Sequence, residues 1–275
     1  MKLGLIGAMP QEIDRIAEDF LTESIESVAG RSYHIGHFAG VETVLVFSRW
    51  GKVAATMAAT ALIERFGVDC IIFTGVAGAV SPVLNVGDVV IADRLIQHDF
   101  DVSAARIAYE GGTLGRFAIP FLGISYFPVD ERLVELAKQA AEEYLVARTS
   151  ACDGVARTSV CDPVGESQTE VRATIATRGS VYVGTIASGD QFIAHPEKLA
   201  ELRAAIPDLL CVEMEGAAVA QVCHEYGLPY LVIRAISDKA DHSAPMDFLS
   251  FIENIARHYS HGILKRLIPR LVGAV

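Results

Sequence analysis

The sequence predicts an α/β fold, and three observations carry the prediction. Short apolar runs alternate with helical patterns along the chain. Several of those runs, KLGLIG (2–7), DCIIFTG (69–75) and PYLVIRAIS (229–237), are continuous rather than alternating, the mark of strands covered on both faces. No shift in composition and no linker divides the 275 residues, which reads as one domain over 1–275. With 51% hydrophobic residues the chain can bury a large core.

The elements follow in order. KLGLIG ends in glycine, and Pro10 then suits the first turn of a helix reaching about Phe20. RSYHIGHF and ETVLVFS are strands joined by a turn at Ala39–Gly40. Residues 51–66 are alanine-rich with apolar residues on one face, a helix. DCIIFTG is a strand, and VAGAV after it reads as a small-residue turn. DVVIADRLI (88–96) is a strand and 129–147 a charged amphipathic helix. VYVGTIASG (181–189) is a strand, 196–204 a helix, LLCVEM a strand, GAAVAQVCHEYG a helix, 229–237 a strand, and about 246–271 one long helix. VARTSACDG (146–154) is followed at once by the near-copy VARTSVCDP (155–163), with a polar run beyond it. Two copies are too few for a solenoid, so the segment at about 146–170 reads as an exposed polar insertion.

A net charge of -11 repels phosphate backbones, which argues against a nucleic-acid partner. No apolar run reaches transmembrane length, and MKLGLIGAMPQE meets charge too early for a signal peptide, so the expected setting is cytoplasmic, away from membranes. The five cysteines match no zinc spacing. Three lie in apolar runs as small core residues, and a reducing compartment argues against a Cys152–Cys161 bridge.

In such sheets ligands bind past the carboxyl ends of strands. Met9 and Glu12 follow the first strand; Thr74 to Gly78 the third apolar one; Ser188 to Phe192, Glu213 to Glu215, and Arg234, Ser237 and Asp238 lie at later ends. Each has a plain alternative. Glu12 suits a helix first turn and Asp238 a cap. Gly75 and Gly78 suit either a tight turn or a ligand contact. Arg234, inside an apolar strand, needs a partner such as Glu12 or Glu215. Glu213 and Glu215, two apart in a strand-like segment, would share a face, which like charges avoid unless something binds there. Neither GxGxxG nor GxxxxGK[ST] is present.

IGAMPQE, GKVAA, FTGVAGAV, NVGDVV, SGDQFI, VEMEGAAVAQVC and RAISDKAD occur in this order. Together they resemble the 5′-methylthioadenosine/S-adenosylhomocysteine nucleosidases of the nucleoside phosphorylase/nucleosidase superfamily, closely over 1–100 and 181–260 and weakly between. The resemblance implies a three-layer α/β/α sandwich with a mixed, partly barrel-like sheet, a homodimer, and hydrolysis of the ribose–adenine bond without metal or cofactor. It implies that Glu12 activates water, Arg234 helps hold that water, Glu215 binds the ribose hydroxyls with Met214 on the sugar, and Asp238 protonates the purine. Phe192 and Ile193 would read and stack on adenine; Met9 and Phe248 would wall the sugar and its 5′ group, in a pocket that also takes Trp50, Val76, Ala77 and Gly78. Glu213 stays outside this catalytic set and would hold Arg234 or nearby backbone.

The chemistry suits these roles. Breaking the bond leaves positive charge on the sugar and negative charge on the base, so an acid must meet the base and a carboxylate must direct water. A carboxylate at position 12 would repel phosphate, which favours hydrolysis over phosphorolysis. Departures from the family pattern are Val76 for a serine, Trp50 for a smaller aliphatic residue, and Ala105 and Ile107 for aromatic ones. They fit either a shifted 5′ preference, toward a substrate such as aminodeoxyfutalosine, or compensating repacking with no change of substrate. A purine nucleoside phosphorylase and a non-catalytic nucleoside-binding protein are the rival readings.

Overall fold

The structure is a computed structural model that describes residues 1–106, 108–109, 112–156, 179–252 and 256–275. Its first strand, β1 (Lys2–Gly7), is buried along nearly its whole length, as a continuous apolar run requires. It pairs in parallel with β4 (Val41–Phe47) on one side and β5 (Cys70–Ala79) on the other. Beyond β4 come β3 (Arg31–Phe38) and the edge strand β2 (Leu21–Val28), both antiparallel. Ala39 and Gly40 turn the β3–β4 hairpin at positive φ, as the sequence predicts.

On its other edge β5 pairs with β12 (Tyr230–Asp238), which pairs with β6 (Val89–Gln97), then β10 (Val181–Ser188), then β11 (Leu209–Glu213). β11 returns to pair antiparallel with the end of β5, Cys211 with Ala79 and Val212 with Gly78. Five strands thereby close a mixed barrel, and β1–β4–β3–β2 extends from it as an open wing. The short strands β7 (Ala108–Tyr109) and β8 (Gly112–Thr113) form a separate hairpin, and β9 (Phe127–Pro128) pairs with β6.

The closure corrects one expectation. VAGAV is not a turn: the strand runs on to Ala79. The first half of β5 pairs with β1, and its last residues pass to β11. Small residues let a strand bend at such a barrel corner, and a sequence window cannot separate that use from a turn.

Helices cover both faces. α1 (Pro10–Asp19), α3 (Glu131–Ala156) and α7 (Arg257–Leu271) pack together, while α2 (Lys52–Glu64) packs on α5 (Gly216–Tyr226). α4 (Pro196–Ala205) lies between β10 and β11, and α6 (Ala244–Phe251) follows β12. One buried apolar cluster runs from Leu3 to Leu271 and contains Cys70, Cys211 and Cys223, whose thiols burial pushes upward in pKa.

Two further expectations change. β2 goes unpredicted because its side chains, Leu21 and Ile25 among them, are largely exposed and carry no core-facing pattern. α3 continues to Ala156, so the first copy of the near-repeat is helical; residues 157–163, Cys161 among them, and the rest of the expected insertion to 170 lie outside the described residues. The expected C-terminal helix is described in two parts, α6 and α7, with 253–255 between them outside the described residues.

Candidate active site

The carboxyl ends of β1, β5, β11 and β12 converge on one pocket. Glu12, Glu215 and Asp238 line it together, as do Met9, Trp50, Val76, Ala77, Gly78, Phe192, Ile193, Met214 and Phe248. Three carboxyl groups from distant parts of the chain thus face one hollow, each of them buried.

Glu12 stands on the first turn of α1, where Pro10 opens the helix and Met9 precedes it. Its Oε2 accepts the N–H groups of Ala8 (2.7 Å) and Met9 (2.9 Å), and its Oε1 accepts that of Val76 (3.1 Å). These bonds hold it across from β5. Gly75 makes the approach feasible, since a Cβ there would lie 2.6 Å from Glu12 Oε1. Burial raises the Glu12 pKa and outweighs the Arg234 charge and the three donors.

Asp238 ends β12 just after a register shift against β5. Ser237 Oγ donates to its Oδ2 (2.8 Å) and the Ala240 N–H to its Oδ1 (2.8 Å). Burial again raises the pKa despite both donors, and Asp247 and Asp241 add to it. Gly78 plays the part here that Gly75 plays for Glu12: a Cβ would meet Asp238 Oδ1 at 2.8 Å.

The two glutamates after LLCV separate. β11 ends at Glu213, so the period of two stops there and the pair does not share a strand face. The Glu213 carboxylate takes the Arg234 Nη2 (2.6 Å), the Gly216 N–H (2.8 Å) and the Ser188 hydroxyl. Glu215 precedes α5, and its Oε1 accepts the Gly51 N–H (2.8 Å). Burial, reinforced by the Glu213 charge, lifts the Glu215 pKa to about 8 against the Gly51 bond and Arg234.

Arg234 is the one catalytic candidate that does not line the pocket. It is 1% exposed, with Nη1 donating to the carbonyls of Phe73 and Ile233 (both 3.1 Å) and the guanidinium over the Phe73 ring at 4.2 Å. Its partner is Glu213 rather than Glu12 or Glu215. It stands behind the acids and acts on them through Glu213 and through its charge.

The rest of the lining is mostly apolar. Phe192 meets Phe248 edge to face at 5.5 Å, and Trp50, 58% exposed, stands at the rim. No lysine, arginine or histidine is among the described lining residues. Ala105 sits in an exposed 3₁₀ turn (Ser103–Ala105) away from this lining, and Ile107 lies outside the described residues. Sequence reasoning missed Gly51 as a donor; its only signal was a glycine directly before a helix.

The family model for the phosphorylase superfamily matches residues 2–269. The chain belongs to this superfamily. It is 36% identical to the 5′-methylthioadenosine/S-adenosylhomocysteine nucleosidase of Aeromonas salmonicida, over 97% of this chain and 99% of that one. The corresponding nucleosidase of Neisseria meningitidis, solved with methylthio-immucillin-A, is 32% identical with a TM-score of 0.77, covering 98% and 99% of the two chains. The futalosine hydrolase of Helicobacter pylori is as similar, at 33% identity and a TM-score of 0.76 over 98% of each chain. This member of the superfamily is an enzyme of the N-glycosidic hydrolase class. Its mixed sheet with a barrel core matches the solved nucleosidases.

Proposed function

We propose that the protein hydrolyses the N-glycosidic bond of 5′-substituted adenosines of the 5′-methylthioadenosine and S-adenosylhomocysteine type, releasing adenine. The observation that carries this reading is the pocket's acidic lining: Glu12, Glu213, Glu215 and Asp238 line it, and no described lining residue is cationic. Phosphate as a co-substrate would meet acidic groups and no cationic side chain, whereas water and a sugar gaining positive charge are favoured there.

In this reading Glu12 is the base that takes a proton from water, and its upward-shifted pKa makes it a stronger base than a surface glutamate. Val76 supplies no hydroxyl to the water; its N–H orients Glu12 instead. Glu215 grips the ribose hydroxyls, a grip that tightens as the sugar becomes cationic. Asp238, also shifted upward, carries the proton that neutralises the departing purine. Phe192 and Ile193 hold the base, Met9, Met214, Trp50 and Phe248 the sugar and 5′ group, and Ala77 and Gly78 line the wall between. Arg234 is a positioning residue that fixes Glu213 beneath α5.

A second reading, a nucleosidase for a 5′ substituent of the futalosine kind such as aminodeoxyfutalosine, rests on the equal likeness to the Helicobacter pylori futalosine hydrolase and on Trp50 at the rim. One experiment separates the readings: kcat/KM for free-base release from a panel of purine nucleosides, with and without phosphate. Hydrolysis favouring methylthioadenosine, with phosphate without effect, is expected. Ribose 1-phosphate would overturn the hydrolase reading, and preference for the futalosine-type nucleoside would replace the substrate.

The assembly we propose is a homodimer in the cytoplasm. Val53 and Met57 of α2 and Tyr226 of α5 are exposed and line one surface hollow, an apolar face that suits a second copy. Sedimentation equilibrium at about twice the monomer mass would support it.

A further inference from the structure

Three segments meet beside the pocket: the start of α2, the end of β6 and the first residues of the loop after β10. Lys52 is held at both ends. Its N–H donates to Asp190 Oδ1 (2.8 Å), and its Nζ donates to Asp99 Oδ1 (2.6 Å). The ring closes through Asp99 Oδ2, which accepts the Asp190 N–H (2.9 Å). Nζ also reaches Gln97 Oε1 (3.3 Å). None of Lys52, Asp99 and Asp190 is among the pocket residues.

What the ring holds is Gly51. This residue has φ +91°, open to glycine but not to ordinary side chains, and a Cβ there would stand 3.0 Å from Asp190 Oδ1. Its N–H is, among the described residues, the single hydrogen-bond donor to the Glu215 carboxylate. Asp190 leads directly into Gln191, Phe192 and Ile193, which line the pocket. The ring thus ties the N–H that orients one carboxylate to a second segment of the pocket wall.

We propose that Lys52, Asp99 and Asp190 form a positioning ring that aims the Gly51 N–H at Glu215 and fixes its distance from the 191–193 wall. The ring sets how strongly the enzyme demands intact ribose hydroxyls. This rests on the reading of Glu215 as the ribose grip. A purely structural ring would affect melting temperature and leave that demand unchanged.

The test uses the best nucleoside of the panel and its 2′- and 3′-deoxy analogues. In the parent enzyme, loss of a hydroxyl that bonds a buried carboxylate lowers kcat/KM by about tenfold or more. Asp190→Ala and Asp99→Asn should shrink that penalty to about threefold or less, by the same scale. Asp190→Asn, which keeps an acceptor for the Lys52 N–H, should retain the penalty. A full penalty in both Asp190→Ala and Asp99→Asn would overturn the ring. If the parent shows no penalty, the Glu215 reading fails and the ring is judged on hydrogen exchange of the Gly51 amide. Protection lost in Asp190→Ala supports it, and protection unchanged overturns it.

Discussion

Glu215 shows how burial sets the chemistry of a single group. Its carboxyl titrates near 4.5 in an unfolded chain and at about 8 in the folded one. Between those values the folded state keeps a proton that the unfolded chain has released. The contribution to stability is therefore greatest below about 4.5, falls as pH rises through the window, and is constant above about 8. Glu215→Gln preserves an acceptor for the Gly51 N–H and removes this slope. Its melting temperature, measured without nucleoside, should gain on the parent's as pH rises through the window and level off above it. Parallel curves would mean that the parent carboxyl is already ionised. The sequence made Glu12, Glu215 and Asp238 visible as polar residues at strand ends. Their charge states were not legible, because burial and neighbouring acids decide them.

Among the elements, β5 carries the most information. It is a barrel strand, and its glycines leave room for the acids of other elements. Gly75 faces Glu12 of α1 and Gly78 faces Asp238 of β12. Gly75→Ala would put a Cβ at 2.6 Å from Glu12 Oε1 and force the carboxyl away from the N–H groups of Ala8, Met9 and Val76. Misplacing a catalytic group by about 1 Å can cost on the order of 100-fold in rate. The variant should therefore lose kcat by at least about tenfold while its melting temperature falls only slightly, a split that steady-state kinetics and calorimetry together would reveal. Equal kcat in both proteins would remove Glu12 from the mechanism. Most elements were legible because their apolar runs face a core on both sides. β2 was not, since an exposed edge strand has no inward face to mark it.

At the scale of the whole molecule, barrel closure brings a buried cation and a buried anion together. Arg234 of β12 and Glu213 of β11 pair at 2.6 Å, with side chains 1% and 3% exposed. Removing one partner strands the other in a dry interior, at a cost of about 3–5 kcal/mol. Arg234→Met should be that destabilising. Adding Glu213→Gln should recover part of the loss, so the double variant unfolds at higher denaturant than Arg234→Met alone. Simple additivity in the urea midpoints would show that the pair is not coupled. The arginine was conspicuous in its apolar strand. Its partner was open between Glu12 and Glu215, with Glu213 named only as a holder of Arg234 or of backbone, because the choice depends on where β11 stops.

By itself the sequence determined the α/β class, the buried strands and the polar residues at their carboxyl ends, since hydrophobic period and chain punctuation are local properties. Its ordered motifs also carried the family. Only the tertiary structure decided that β5 continues through VAGAV to close a barrel, that Glu213 rather than Glu12 or Glu215 takes Arg234, and that Gly51 donates to Glu215. Those outcomes depend on contacts between residues from 21 to 164 positions apart, and no local pattern records which of several equally polar partners will be nearest once the sheet has closed.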